Sequence, residues 1–219
     1  MYAIVTMHDQ AYAELAEITC TQNKVPYCER HGYKLFVKTN NFSPTIPEIM
    51  FDKFRYHLEV LENNPEIEWT WWLDCDAMIT NFQTTLEQWC DPDYQCIITV
   101  DRYNLNAGSY FLRNTLESKN YFKYLLSLEQ EYLDKKWAEQ QAMIDTIEQF
   151  QSIIKIHPQR DFNSFDYDYY YQDHGNTHDW DLFGNNGNWQ LGDFVCHYPA
   201  IRYQEKIRLA SEIMKKIIF

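Results

Sequence analysis

The chain has 219 residues, of which 45% are hydrophobic and 17% aromatic, and its formal net charge is −13. This length and composition fit one globular domain with a sizeable core, and they exclude a disordered chain or a pair of small domains. So acidic a chain repels phosphate backbones, which excludes general nucleic-acid binding, and a nucleoside diphosphate ligand would need a cation and local Lys or Arg to offset the field.

The first element expected is a buried strand over residues 2–7, apolar and β-branched, that stops at His8-Asp9. Helical patterning follows over residues 12–30, with room for a break near 20–23, where Asn23 suits a cap and Pro26 a first turn. Gly32 is placed to stop that helix, and residues 34–38 read as a second strand. A helix is expected over 47–63. A strongly apolar strand over 69–73 then stops at Asp74. Further strands are expected over 95–100 and 109–112, helices over 116–133 and 137–149, and a strand over 152–156. Residues 162–189 are dense in Tyr, Asp, Asn, His and Gly without periodicity and read as a long functional loop. A strand over 194–197 and an amphipathic helix over 204–218 close the chain. The alternation predicts a single layered α/β/α domain with a mostly parallel central sheet, whose ligands bind beyond the carboxyl ends of the strands. Asp9 and Asp74 both fall at such ends.

The chemistry concentrates in Trp71-Trp72-Leu73-Asp74-Cys75-Asp76-Ala77. Alternate residues of an extended chain point to one side, so Asp74 and Asp76 would repel each other unless a cation lay beside them. A hard divalent ion such as Mn²⁺ or Mg²⁺ takes oxygen ligands and shares them with substrate phosphates. The plain alternative is that Asp-x-Asp is a common surface tripeptide. A second alternative is a phosphatase of the haloacid dehalogenase class, which carries the same pattern after an apolar strand with the first Asp as nucleophile. That motif continues with Thr or Val two residues on, where this chain has Met78, and Cys196-His197 stand where a later acid is wanted.

Several ordered blocks carry a more specific resemblance. YCERHGYKLF (27–36), WTWWLDCDAMITN (69–81), LNAGSYFLRN (105–114), EQQAM (139–143), HPQRDFNSF (157–165) and GDFVCHYPAIR (192–202) resemble, in the same order, the retaining glycosyltransferase family of yeast Golgi α-galactosyl- and mannosyltransferases and plant xyloglucan xylosyltransferases. The resemblance implies a GT-A type, Rossmann-like nucleotide-sugar-binding fold, with a donor-binding half over about 1–115 and an acceptor half over about 116–219. It implies transfer of a hexose or pentose from a nucleotide sugar, a UDP-sugar as the better choice, to a carbohydrate hydroxyl with the anomeric configuration kept.

It also assigns roles. Asp76 becomes a direct metal ligand, Asp74 a ribose or metal contact, and His197 the third metal contact. Arg202 faces the diphosphate, a pairing well matched in geometry. Asn106, Ala107 and Gly108 approach the donor sugar, with Gly108 allowing close backbone approach; an ordinary turn ahead of a strand is the alternative. Glu139 and Gln140 lie near the transferring sugar as the catalytic candidates, although Ala138 stands where the family often has another acid. A Glu favouring a helix N-terminus is the bland reading of Glu139. By fold analogy His8 and Asp9 contact the base or ribose, and Lys53 is either a second basic contact or a solvated helix residue. Tyr167, Tyr169, Tyr170, Tyr171, Trp180 and Trp189 suit an acceptor's sugar rings. An inactive sugar-nucleotide or glycan-binding module is the non-enzymatic alternative.

No basic and apolar leader is visible at the amino terminus, and no run is long and apolar enough to span a membrane. The six cysteines lack any Cys-x-x-Cys and read as reduced thiols of a cytoplasmic protein.

Overall fold

The computed structural model describes residues 1–166 and 181–219. Nine strands lie among these residues: β1 (Tyr2–Met7), β2 (Lys34–Lys38), β3 (Trp69–Leu73), β4 (Ala77–Ile79), β5 (Cys96–Val100), β6 (Leu105–Arg113), β7 (Ile154–His157), β8 (Ser164–Phe165) and β9 (Val195–His197). The main sheet has the order β2-β1-β3-β6-β5-β7. Every neighbouring pair in it is parallel except the two that involve β6, which runs against both β3 and β5. Strand β1 therefore leads outward to β2 on one side, while β3 joins on the other. That reversal opens a crevice beyond the carboxyl ends of β1 and β3. The residues that follow these strands are His8-Asp9 and Asp74-Cys75-Asp76.

Alternation across the strands builds a core on each face of the sheet. Val5, Trp72, Ile98 and Tyr110 face one layer, formed by α3 (Ile46–Asn63), α4 (Leu116–Ser127) and α6 (Ala138–Phe150). Their chain neighbours Ile4, Trp71, Ile97 and Phe111 face the other, with Tyr27 and Cys28 of α2 (Val25–His31) and Phe162 of α7 (Gln159–Phe162). All five residues of β3 are buried, as a strand covered on both faces must be, and so its sequence is an unbroken apolar run apart from Thr70.

The expected helix over 12–30 is continuous. A four-residue α1 (Ala13–Ala16) runs into a π-helical stretch, Glu17–Lys24, and then into α2, which Gly32 ends in the left-handed conformation at φ 69°. Asn23 is therefore no cap. Its buried amide accepts from Ile79 N and donates to Ile79 O, both at 2.8 Å. Thr19 Oγ1 donates to Cys75 O, and Lys24 Nζ donates to Ala77 O at 2.6 Å. The widened helix thus satisfies three alternate carbonyls along residues 75–79 and fixes the backbone that carries Asp76.

The helix expected over 116–133 divides into α4 and the short α5 (Glu129–Tyr132). The strand expected over 109–112 is longer, since β6 takes in residues 105–108, so Asn106, Ala107 and Gly108 are not the turn ahead of a strand that the alternative reading made them. A second sheet, β4-β9-β8, was not legible as such. It pairs Ala77 with His197 and Phe165 with His197. The closing helix, α8, spans Tyr203–Met214.

His57 of α3 sits under the site-bearing strand, fully buried, with its ring at 5.5 Å from Tyr110 and 5.9 Å from Trp72. Thr70 Oγ1 donates to Leu112 O, so it accepts from His57 Nε2, and Nδ1 accepts from the Tyr110 hydroxyl. The neutral ring is fully used, and burial pushes its pKa down to about 3. An unfolded chain takes up a proton near pH 6.5 that the native state refuses. Stability from this group is therefore complete above that pH and falls toward pH 3, at roughly 1.4 kcal/mol per unit. Urea unfolding at pH 7 and pH 5 is expected to show wild type losing about 2 kcal/mol more than His57→Gln; equal losses would mean that His57 charges in place.

Candidate functional site

Asp74 and Asp76 are delivered by the carboxyl end of β3, and His197 by the end of β9, whose pairing with β4 sets it opposite Ala77. Asp74 N donates to Gly108 O at 2.9 Å, and Tyr198 N to Asp76 O at 2.9 Å, which pins both ends of the turn. One ligand atom from each of Asp74, Asp76 and His197 lies within 4.8 Å of the others.

The orientation of His197 follows from a chain of hydrogen bonds. The backbone N–H of Gly108 can only donate, so it meets Asn106 Oδ1 at 3.0 Å. That oxygen also accepts from Asn163 Nδ2 at 3.0 Å, while Asn106 Nδ2 donates to Asp101 at 2.9 Å. Asn163 Oδ1 is therefore the atom facing His197 Nδ1 at 2.8 Å, and Nδ1 must be the donor. The other nitrogen, Nε2, is turned to Asp76 Oδ1 at 3.2 Å. Two carboxylates and an outward imidazole nitrogen, the latter fixed by a hydrogen bond on its far side, form a donor set that suits a divalent cation of the Mn²⁺ or Mg²⁺ kind.

Two ammonium groups stand among these carboxylates. Lys53 of α3 is buried, not a solvated helix residue. Its Nζ lies 3.3 Å from Asp74 Oδ1 and 3.1 Å from Glu139 Oε1, and it donates to Ala107 O at 2.8 Å. Burial works against its charge, but Asp74 and Glu139 outweigh burial and hold its pKa above the ordinary value. Lys206, in the first turn of α8, donates to Asp76 Oδ2. Burial alone would raise the Asp76 carboxyl; Lys206 and His197 bring it well below the usual carboxylate range. Burial raises the Glu139 carboxyl, with Lys53 pulling the other way. Its second oxygen, Oε2, is buried without a hydrogen-bond partner among the described residues. Gln140 accepts from Ala107 N at 2.9 Å, so α6 is tied to β6 beside the site.

The site opens on a cleft of about 410 Å³. His8, Asp9, Lys53, Asp74, Asp76 and Glu139 face it, together with an apolar wall from Phe42, Ile46, Ile49 and Met50. Asn106, Ala107, Gly108, Gln140 and His197 join through the contacts above. Gly108 is needed for a neighbour within the protein: a Cβ there would lie 2.3 Å from His197 Cε1. Arg202 is exposed at the N-cap of α8, and the basic group on Asp76 is Lys206 instead. Trp189 is partly buried, its indole donating to Thr80 Oγ1 at 3.0 Å. Tyr167, Tyr169, Tyr170, Tyr171 and Trp180 lie outside the described residues. Sequence reasoning missed Lys206, Asn163 and Asp101. Asn163 lay inside a quoted block and was recoverable as a buried amide; Lys206 carried no local signal.

Known proteins resemble this chain over its length and in parts of it. Residues 3–93 match the model of the galactosyl transferase GMA12/MNN10 family. An alpha-1,2-galactosyltransferase of Schizosaccharomyces pombe is 25% identical, over 83% of this chain and 55% of its own length. Xyloglucan 6-xylosyltransferase 2 of Arabidopsis thaliana is 31% identical, over 42% of this chain and 22% of its own length. The chain thus spans from about a fifth to just over half of these curated relatives. Among solved structures, a glycosyltransferase involved in the glycosylation of the major capsid of PBCV-1 superposes with a TM-score of 0.74 at 16% identity, over 96% of this chain and 98% of that one. The galactosyltransferase LgtC, in complex with donor and acceptor sugar analogs, gives 0.56 at 14% identity, over 100% and 97%. The fold is the GT-A glycosyltransferase fold, and the resemblance carried by the sequence blocks holds. None of these comparisons supports the phosphatase alternative. No helix among the described residues is long and apolar enough to cross a membrane.

Proposed function

We propose that this chain, similar over residues 3–93 to the galactosyl transferase GMA12/MNN10 family, is a metal-dependent retaining glycosyltransferase. It moves a hexose or pentose from a UDP-sugar to a hydroxyl of a carbohydrate acceptor. The observation that carries this reading is the meeting of Asp74, Asp76 and His197 at the crevice beyond β1 and β3. Those three residues would hold Mn²⁺ or Mg²⁺, which when bound offsets charge on a departing nucleoside diphosphate. The strongly acidic chain makes such local positive charge a requirement; Lys53 and Lys206 stand among the carboxylates, and Arg202 is assigned to the diphosphate by the block resemblance.

The remaining roles belong to the chain's own groups. His8 and Asp9, at the end of β1, lie where the base and ribose enter. Lys53 fixes Asp74 and Glu139 relative to each other. Glu139 keeps Oε2 available in a buried setting, where a sugar hydroxyl or the positive charge that develops on the transferring sugar would find it. Gln140 is held at the same edge through Ala107. The acceptor oxygen approaches from the donor's phosphate side, so its proton passes to the leaving phosphate oxygen and no protein carboxylate needs to form a covalent intermediate.

Calorimetric titration of UDP and of GDP, each with Mn²⁺ and with EDTA, tests this on wild type and Asp76→Ala. Metal-dependent binding of UDP is expected in wild type, weakened about 100-fold in the variant. Absence of binding by either nucleotide under all conditions would overturn the donor site.

A further inference from the structure

We infer that Lys206 is a counter-ion built onto the metal-binding carboxylate, one that a divalent cation must displace and that the donor diphosphate then receives. The inference rests on the donor-site reading above and goes beyond it. Asp76 Oδ2 is committed to the Lys206 ammonium, while Oδ1 faces His197 Nε2 at 3.2 Å. Asp76 is also one of the two carboxylates in the cluster that would hold the metal. An ion bound to Asp76 and a full ammonium charge on the same carboxylate would repel each other at short range, in a setting where the Lys206 side chain is 7% exposed and the Asp76 side chain 14%.

The ammonium has somewhere to go. Lys206 reaches Asp76 on a flexible four-carbon stem from the first turn of α8, and its Nζ already lies 5.8 Å from the centre of the Tyr12 ring. Tyr12 lines the cleft and meets Tyr203 of α8 edge-on at 5.2 Å, so the Lys206 ammonium stands beside a side chain that borders the cleft, and a short swing past Tyr12 brings it toward bound phosphate. An ammonium that leaves Asp76 without meeting an anion loses its partner, whereas one that meets a diphosphate regains it. Metal uptake and diphosphate uptake are then coupled through one side chain, and the coupling is reciprocal. Arg202, exposed one turn earlier at the N-cap, does not touch Asp76 and cannot take this part in the arrangement observed.

The test counts free Mn²⁺ by electron paramagnetic resonance, with and without UDP, in wild type, Lys206→Gln and Lys206→Arg. Lys206→Gln is expected to bind Mn²⁺ alone ~tenfold more tightly than wild type, and UDP is expected to tighten Mn²⁺ binding less in the variant, by a similar factor. Lys206→Arg keeps the charge and is expected to stay within about threefold of wild type in both states. Mn²⁺ affinity without UDP that is unchanged or weaker in Lys206→Gln overturns the inference, as does an undiminished UDP effect. Should Lys206→Gln not fold alone, Mn²⁺ is expected to restore its melting transition, because ligand binding to the native state favours it. A variant that stays unfolded in Mn²⁺ overturns the inference too, since Lys206 would then be a structural partner no cation replaces. Wild type that takes up no Mn²⁺ even with UDP instead overturns the metal site itself, so the two failures are distinct.

Discussion

Gly108→Ala is expected to weaken Mn²⁺ binding about 100-fold while costing only about 1–3 kcal/mol of stability. The added methyl would lie 2.3 Å from His197 Cε1 and 3.0 Å from Nδ1, inside any tolerable contact. The ring cannot slide away cheaply. Its Nδ1 is bonded to Asn163, whose amide is held by Thr99 Oγ1 at 3.0 Å and by Asn106, itself held by Asp101. His197 and Asn163 are essentially fully buried, and Asn106 and Asp101 nearly so, so a broken link leaves an unpaired polar group without water. The methyl therefore either expels the imidazole from the cluster or breaks the chain that orients it. Both outcomes remove the nitrogen facing Asp76 and spare the core layers on which folding depends. Free Mn²⁺ measured beside a urea melt separates the effects. Wild-type Mn²⁺ affinity in a folded Gly108→Ala would show that His197 is no ligand.

The same glycine shows what a sequence can and cannot disclose. Strands β1 and β3 were legible to the residue because a strand buried on both faces is an apolar run with polar ends, and β2, a partly buried edge strand, was legible as a short apolar run between two lysines. The first half of β6 was not. Asn106 and Gly108 are poor strand formers, and they stand in a strand because the Asp101–Asn106–Asn163 chain and the His197 ring require an amide and a bare α-carbon there. Asn23 misled for a related reason: its use is 56 residues away, at Ile79, and local capping logic has no access to that. Asp74, Asp76, Glu139 and Lys53 were legible as candidates from strand ends and block resemblance. Arg202 was assigned to the diphosphate on motif position alone, and Lys206 was not among the candidates. Which cation reaches Asp76 is decided by how α8 docks beside a turn 130 residues earlier in the chain.

Lys53→Met is expected to be the most destabilising single change at the site, by about 3–5 kcal/mol. The Lys53 side chain is 6% exposed and that of Glu139 7%, and the ammonium is the group within reach of both Glu139 Oε1 and Asp74 Oδ1. Methionine fills much of the same volume, so the loss is electrostatic and not a cavity. What remains is a buried carboxylate with one oxygen already unpartnered, a second carboxylate beside it, and Ala107 O without its donor. Glu139 would respond by holding its proton to higher pH, which limits the loss without removing it. Pairing the change with Glu139→Gln tests the cause. If repulsion and desolvation of Glu139 dominate, the double variant is expected to recover at least about 1 kcal/mol relative to Lys53→Met in urea unfolding, a negative coupling that adjacent charges produce and distant sites do not. Additive losses would instead assign the role of Lys53 to its bond with Ala107 and its place over the Trp72 ring, at 5.5 Å from the centre. The carboxylates would then be bystanders in stability, and their shared counter-ion would matter only when a ligand arrives.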